Sequence, residues 1–178
     1  EASPLPVVLY NVPSRTGKNM EAATALRLAN EFPDKIIGVK EASGDMKQIA
    51  EIIAGKPDGF QVVSGDDALT LRLIRMGAEG VISVIGNALP HVFGKLVHLA
   101  LDNFDNPIAN EIDQRLQPLD RALFAEGNPS GLKCLLSHMG LAKDVLRLPL
   151  VPVSDMTRKD IALALAAVTK TEFLQNAN

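Results

Sequence analysis

Ile36-Ile37-Gly38-Val39-Lys40, followed by Glu41-Ala42-Ser43-Gly44, decides the fold of this chain. An apolar run closed by one cation reads as a buried parallel strand whose charged end emerges at the carboxyl edge of the sheet. That edge is where α/β proteins place their sites. Burying an ammonium disfavours its charged form, so a lysine sequestered at such an edge can attack a carbonyl and form a Schiff base. The plainer reading of Lys40 is a solvated strand cap or a surface ion-pair partner.

Working outward, three further apolar runs alternate with helical patterns: Val7-Val8-Leu9-Tyr10, Phe60-Gln61-Val62-Val63-Ser64-Gly65, and Gly80-Val81-Ile82-Ser83-Val84-Ile85-Gly86. Between them, apolar residues recur at helical spacing: Ala25, Leu28, Ala29 and Phe32, then Ile49, Ile52 and Ile53, then Leu69, Leu73, Ile74 and Met76. Asp45 and Asp67 stand where the second and third helices should be capped, and Gly55 and Gly77 where they should stop. The spacing predicts βαβ units with crossover helices. From Leu89 onward only helical periodicity remains, interrupted by Pro107, Pro118, Gly127-Asn128-Pro129 and Leu148-Pro149-Leu150-Val151-Pro152. This predicts a last crossover helix and an appendage of about three helices. The final helix is expected from Asp155 to about Gln175, with Ile161, Leu165 and Val168 on its buried stripe and Ser154 or Thr157 as its cap.

The 178 residues are 47% hydrophobic and 22% charged, enough for a folded core. A net charge of -3 and scattered cations give no footprint for nucleic acid or an anionic membrane. The longest apolar stretch, Ile161 to Val168, is far short of the ~20 residues that span a bilayer. Nothing at the amino end resembles a signal peptide, so a cytoplasmic location is the default expectation. The single cysteine, Cys134, reads as a buried small apolar side chain. His91, His98 and His138 read as surface or packing residues, His91 and His98 being too far apart for an i, i+4 metal pair.

Four parallel strands cannot close a barrel, and an open sheet of four would leave two bare edges. The first strand follows only Glu1-Ala2-Ser3-Pro4-Leu5-Pro6. The expectation is therefore that the chain is the carboxyl-terminal part of a longer protein.

Polar chemistry gathers at the carboxyl ends of the predicted strands. The loop Tyr10-Asn11-Val12-Pro13-Ser14-Arg15-Thr16-Gly17 holds a phenol that can relay protons and a guanidinium that can clamp a carboxylate. Taken singly, Tyr10 reads as a core aromatic and Arg15 as a solvated loop residue. Their register with Lys40, Gly65 and the Ile82 to Gly86 region favours one shared mouth. Ser64-Gly65-Asp66-Asp67 could offer carboxylates to a metal, but adjacent residues point apart and Asp67 is better read as a cap, so no metal is expected. Ile85-Gly86-Asn87-Ala88 lacks the glycine fingerprint of a phosphate loop.

Tyr10 to Gly17, Gly38 to Gly44, Ser64 to Asp67 and Gly80 to Val84, with Asn128-Pro129 and Leu146 to Pro152, resemble the dihydrodipicolinate synthase family in order and spacing. That family belongs to the pyruvate-dependent Schiff-base aldolases. Arg15 within Pro13-Ser14-Arg15-Thr16-Gly17 favours it over the N-acetylneuraminate lyases and keto-sugar-acid aldolases. The resemblance implies an α/β fold: strands 5 to 8 of a TIM (β/α)8 barrel over residues 1–104, and a helical domain over residues 105–178. It implies that Lys40 condenses with pyruvate, that Tyr10 relays protons, and that Arg15 holds the carboxylate of aspartate semialdehyde. Gly65 and the backbone carbonyl of Ile82 would line the lysine's side of the pocket. No cofactor is implied. The complete protein is expected to be a homotetramer, with a threonine pair and a neighbour's tyrosine supplied by the amino-terminal half. Ser130-Gly131-Leu132-Lys133 departs from the family's more usual Ile-Pro-Val-Lys. A different class of reading is a non-catalytic half-barrel that serves only in assembly.

Overall fold

β-branched side chains suit a pleated surface covered by helices, and the four apolar runs form strands accordingly. The computed structural model describes residues 3–169. Strands β1 (Val7–Asn11), β2 (Ile36–Glu41), β3 (Gln61–Ser64) and β4 (Gly80–Val81) lie in that order in one sheet, all parallel. A single helical turn, α1 (Pro13–Thr16), precedes the crossovers α2 (Ala22–Glu31), α3 (Met46–Gly55) and α4 (Thr70–Arg75), and α5 (Pro90–Asp102) follows β4. Helices α6 (Pro107–Phe124), α7 (Ser130–His138) and α8 (Asp155–Thr169) complete the described chain. It divides into two units. One runs through Ser83 and includes Ala100–Asp105; the other holds Val84–Leu99 and the chain from Asn106 onward.

In the first unit, the core lies on one face of the sheet. Ala22, Ala25 and Ala29 of α2 and Ile49 and Ile52 of α3 are buried in one cluster with Val39 and Val62, with Leu9 packed against it. Each buried isoleucine or valine contributes about 1.5–3 kcal/mol. The alternate residues of β1, Val8 and Tyr10, point to the other face and remain 45% and 46% exposed. Asp45 caps α3 as expected, accepting from the N–H groups of Lys47 and Gln48 at 3.0 and 3.1 Å.

Two expectations for this unit are corrected. Asp67 is the first residue of a 3-10 turn, Asp67–Leu69, rather than the residue before a helix; α4 begins at Thr70 with Leu69 in the cap position. The fourth strand stops at Val81, and Ile85–Asn87 is a 3-10 turn rather than strand. Its pairing partner β3 itself ends at Ser64, so the ladder has no backbone left to bond beyond the Ile82 N–H, which donates to the Ser64 carbonyl at 2.9 Å.

In the second unit, α6, α7 and α8 pack together. Pro118 lies inside α6 instead of ending it. A helix-interior proline costs about 3 kcal/mol, and the buried stripe Ala109, Ile112, Leu116, Leu119 and Leu123 offsets that cost. Ile161 and Val168 of α8 are buried and Leu165 is half-buried; the predicted end near Gln175 lies outside the described residues. Ser154 is the cap of α8, its hydroxyl accepting from the Thr157 N–H at 3.3 Å. Cys134 is fully buried, which pushes its thiol up, while the Arg158 guanidinium beside it pulls in the opposite direction. His91, His98 and His138 are exposed. Among the described residues no helix is long and apolar enough to cross a membrane.

Two outcomes test this packing. A Cβ added at Gly131 would run into the Leu123 backbone. Gly131→Ala is therefore expected to lower stability by about 1–3 kcal/mol or more, read as the shift of the thermal midpoint. The Glu126 carboxylate accepts from the Ser154 and Thr157 hydroxyls and from the Ser154 N–H, which hold its pKa below the usual glutamate value. A depressed folded pKa stabilises above the unfolded value, and that contribution is lost as pH falls through the folded one. The midpoint difference between wild type and Glu126→Gln should thus be constant near neutrality and shrink below about pH 4.3; a difference independent of pH down to complete acid unfolding refutes the assignment.

Candidate active site

The carboxyl edge of the sheet is joined by backbone bonds that continue each ladder one step past its strand. Ala42 N–H donates to the Asn11 carbonyl at 2.9 Å, Gly65 N–H to the Glu41 carbonyl at 2.7 Å, and Ile82 N–H to the Ser64 carbonyl at 2.9 Å. This edge carries Tyr10, Lys40, Gly65 and Ile82. Tyr10 and Lys40 are register partners in neighbouring strands. The Lys40 Nζ stands over the Tyr10 ring, 4.2 Å from its centroid, a cation–π distance. Lys40 is half-buried.

Gly65 makes room for that amine. A Cβ there would meet the Ala42 Cβ at 2.8 Å, the Lys40 Cε at 3.0 Å and the Glu41 carbonyl at 3.2 Å. The turn that presents Gly65 is held by the buried Ser64, whose hydroxyl donates to the Asp66 carbonyl at 2.7 Å and accepts from the Asp66 N–H at 3.1 Å. Thr70, also buried, donates to the same Asp66 carbonyl at 2.9 Å. Ile82 is half exposed beyond β4. Arg15 is exposed in α1, the turn that leaves β1, so it shares the carboxyl side of the sheet with the others. Among the described residues no group of three or more His, Cys, Asp or Glu side chains is placed to hold a metal ion.

Behind the Tyr10–Lys40 pair lies a cluster that sequence reading does not single out. Asn11 and Glu41 are the next register pair and, by alternation, face the helices. They are 2% and 1% exposed, so this is a carboxylate inside the core. It accepts from Asn11 Nδ2 at 3.1 Å on both oxygens, from the Ser43 N–H at 2.8 Å and from Gln48 Nε2 at 3.3 Å. Asn11 also donates to Asn19 Oδ1 at 2.9 Å and accepts from the Met20 N–H at 2.9 Å, and Asn19 Nδ2 donates to Gln48 Oε1 at 2.7 Å. Among the described residues no cation pairs with Glu41. The signal was available: a residue next to a site-facing lysine must face the covered side, and a glutamate there has to be buried and satisfied.

The family model for the dihydrodipicolinate synthetase family matches residues 1–168. The chain belongs to that family. It is 54% identical over 165 residues to a 4-hydroxy-tetrahydrodipicolinate synthase of Azobacteroides pseudotrichonymphae, covering 93% of this chain and 55% of that protein. A protein of the same name from Porphyromonas gingivalis is 51% identical over 164 residues, covering 91% of this chain and 54% of its own length. Among solved structures, dihydrodipicolinate synthase from Thermotoga maritima superposes with a TM-score of 0.88 at 35% identity, over 94% of this chain and 57% of that one. The 4-hydroxy-tetrahydrodipicolinate synthase from Methylacidiphilum fumariolicum SolV gives 0.89 at 36% identity, over 98% and 57%. The chain thus spans about half the length of the curated relatives it matches. These neighbours place it among α/β folds of the TIM-barrel type, in keeping with its parallel sheet and crossover helices.

Gly65→Ala tests the close approach at Lys40. The added methyl must displace the lysine stem or the Ala42 loop, an overpacking cost of about 1–3 kcal/mol. The expected result is a lowered thermal midpoint together with a changed labelling rate of Lys40 by an amine reagent, read by peptide mapping. Unchanged labelling and stability contradict it.

Proposed function

We propose that this chain supplies the carboxyl-terminal half of a TIM (β/α)8 barrel, strands 5 to 8 over residues 1–104, with a helical domain over residues 105–178. Its sheet supports that reading. Parallel sheets are normally covered on both faces, yet here Val8, Tyr10 and Ile82 stay about half exposed on or beside a face that a closed barrel would turn inward. The length relation to the relatives points the same way.

The function that fits best is that of a 4-hydroxy-tetrahydrodipicolinate synthase, a lyase condensing pyruvate with aspartate semialdehyde. The observation that carries it is the Lys40 amine over the Tyr10 ring, with Gly65 leaving space beside its stem. In this reading Lys40 Nζ attacks the ketone carbon of pyruvate, and the carbinolamine loses water to give a protonated imine. That imine draws electrons from the adjacent methyl, which gives up a proton and becomes an enamine. The enamine carbon then bonds to the aldehyde carbon of the semialdehyde, whose oxygen takes up a proton. Ring closure follows when the semialdehyde amine attacks the imine carbon and the Lys40 amine leaves. Tyr10 relays protons in the imine and ring-closure steps, and Arg15 holds the semialdehyde carboxylate as a bidentate clamp. Gly65 and the Ile82 carbonyl line the lysine's side of the pocket. The complete protein works as a homo-oligomer, with the remaining groups of the relay coming from outside this chain.

The test uses the chain joined to its amino-terminal half. Borohydride in the presence of pyruvate should fix a reduced pyruvyl adduct on Lys40, mapped by mass spectrometry, and Lys40→Ala should abolish it. Tyr10→Phe should retain the adduct but lower turnover with aspartate semialdehyde by about 100-fold or more, the scale of general acid–base catalysis. No adduct on Lys40 in the complete protein overturns the mechanism. An adduct that condenses only with sugar aldehydes moves the activity to the sugar-acid aldolases.

A further inference from the structure

We infer that Glu41, with Asn11, Asn19 and Gln48, is the positioning device that holds the lysine and tyrosine in their reacting geometry. The inference rests on the reading of Lys40 and Tyr10 as the reacting pair. In a parallel pair of strands, successive register partners lie on opposite faces, so Asn11–Glu41 is the reverse side of Tyr10–Lys40. Any slip or twist of β1 against β2 moves both pairs together.

The buried pair is built to resist that motion. Glu41 lies on β2, and Asn11 Nδ2 on β1 spans both of its oxygens at 3.1 Å, so the side chains bond the strands where the backbone ladder ends. The same carboxylate accepts from Ser43 N–H in the loop after Lys40 and from Gln48 in α3. Through Asn11 Oδ1 the cluster also fixes Met20 N–H, the far end of the connection that carries Arg15. One buried carboxylate thereby references the segments bearing Tyr10, Lys40 and Arg15 to each other. Every group aimed at it is a donor, and the Ser43 backbone N–H cannot be reversed. A charge taken from water at this cost, with no cation beside it, is retained for fixed geometry rather than for net stability.

The donor pattern predicts what exchange does. Glu41→Gln keeps an acceptor for Ser43 N–H but sets an amide NH2 against Asn11 Nδ2 and Gln48 Nε2. Turning Asn11 over to accept would abandon Met20 N–H. Asn11→Asp alone sets two carboxyl groups face to face in the core. The exchange Asn11→Asp with Glu41→Gln restores the match: the carboxylate, now on β1, would accept from the amide, now on β2, and from Met20 N–H. The Asn19 and Gln48 amides, which bond each other at 2.7 and 3.3 Å, turn over together. Asn19 Nδ2 then donates to the new carboxylate in place of the bond that Asn11 Nδ2 made to Asn19 Oδ1, Gln48 Oε1 accepts from the new amide, and Gln48 Nε2 donates to Asn19 Oδ1.

The experiment compares wild type, Glu41→Gln and the double exchange in the chain joined to its amino-terminal half, each verified as folded by circular dichroism and thermal midpoint. Two rates are read on Lys40 by peptide mapping: borohydride trapping with pyruvate, and reductive methylation with formaldehyde, normalised to the exposed Lys18 and Lys47. Glu41→Gln is expected to slow pyruvate trapping by about 10- to 100-fold, the scale of a misplacement near 1 Å, and to change Lys40 methylation against the reference lysines. The double exchange should return both to within a few-fold of wild type. Wild-type rates in folded Glu41→Gln overturn the inference, as does a folded double exchange that stays slow. If Glu41→Gln does not fold, the double exchange decides alone: folded with near-wild-type rates sustains the inference, and unfolded or slow refutes it. Should wild type trap no pyruvate while Lys40 methylation still follows the Glu41 substitutions, the aldolase reading falls and the positioning role stands.

Discussion

Everything at the candidate site depends on the parallel register of β1 and β2. That single pairing sets Tyr10 opposite Lys40 on one face and Asn11 opposite Glu41 on the other. Because side chains alternate with a period of two, the exposed pair and the buried pair are one rigid unit seen from two sides. The amine over the phenol ring and the carboxylate among amide donors are consequences of the same strand alignment.

The two pairs carry opposite physical demands. An amine that is to attack a carbonyl needs access and a fixed direction, so its surroundings leave a space: Gly65 has no side chain, and Lys40 remains half-buried. A carboxylate without a cation needs the reverse, complete enclosure by donors. The sheet satisfies both by packing α2 and α3 on only one of its faces. The other face keeps its apolar residues open, which suits the proposal that further strands close over it.

The helical unit shows the same economy of polar groups. Its helices are joined by burial of Leu119, Leu123, Leu135 and Ile161, while the connection before α8 is fixed by Glu126 gathering the Ser154 and Thr157 hydroxyls. Close approach of α7 to the end of α6 is possible because Gly131 stands where any side chain would strike the Leu123 backbone. Ser130 takes part as well, donating to the Val151 carbonyl at 2.8 Å.

Local pattern alone determined the four strands, the crossover helices, the Asp45 cap and the placing of Tyr10, Lys40 and Gly65 at one sheet edge, because hydrophobic period and strand-end position are written in short stretches. The end of β4 was not legible there, since a strand stops where its neighbour's backbone runs out, and that neighbour is a separate segment of the sequence. Asp67 and Pro118 misled for a related reason: cap and breaker preferences are about 1–3 kcal/mol effects, which packing overrides. Glu41 was visible as a residue but not as a buried one. Only the assembled fold decided that, by bringing Asn11, Asn19 and Gln48 from separate segments around a charge that no one of them could have satisfied alone.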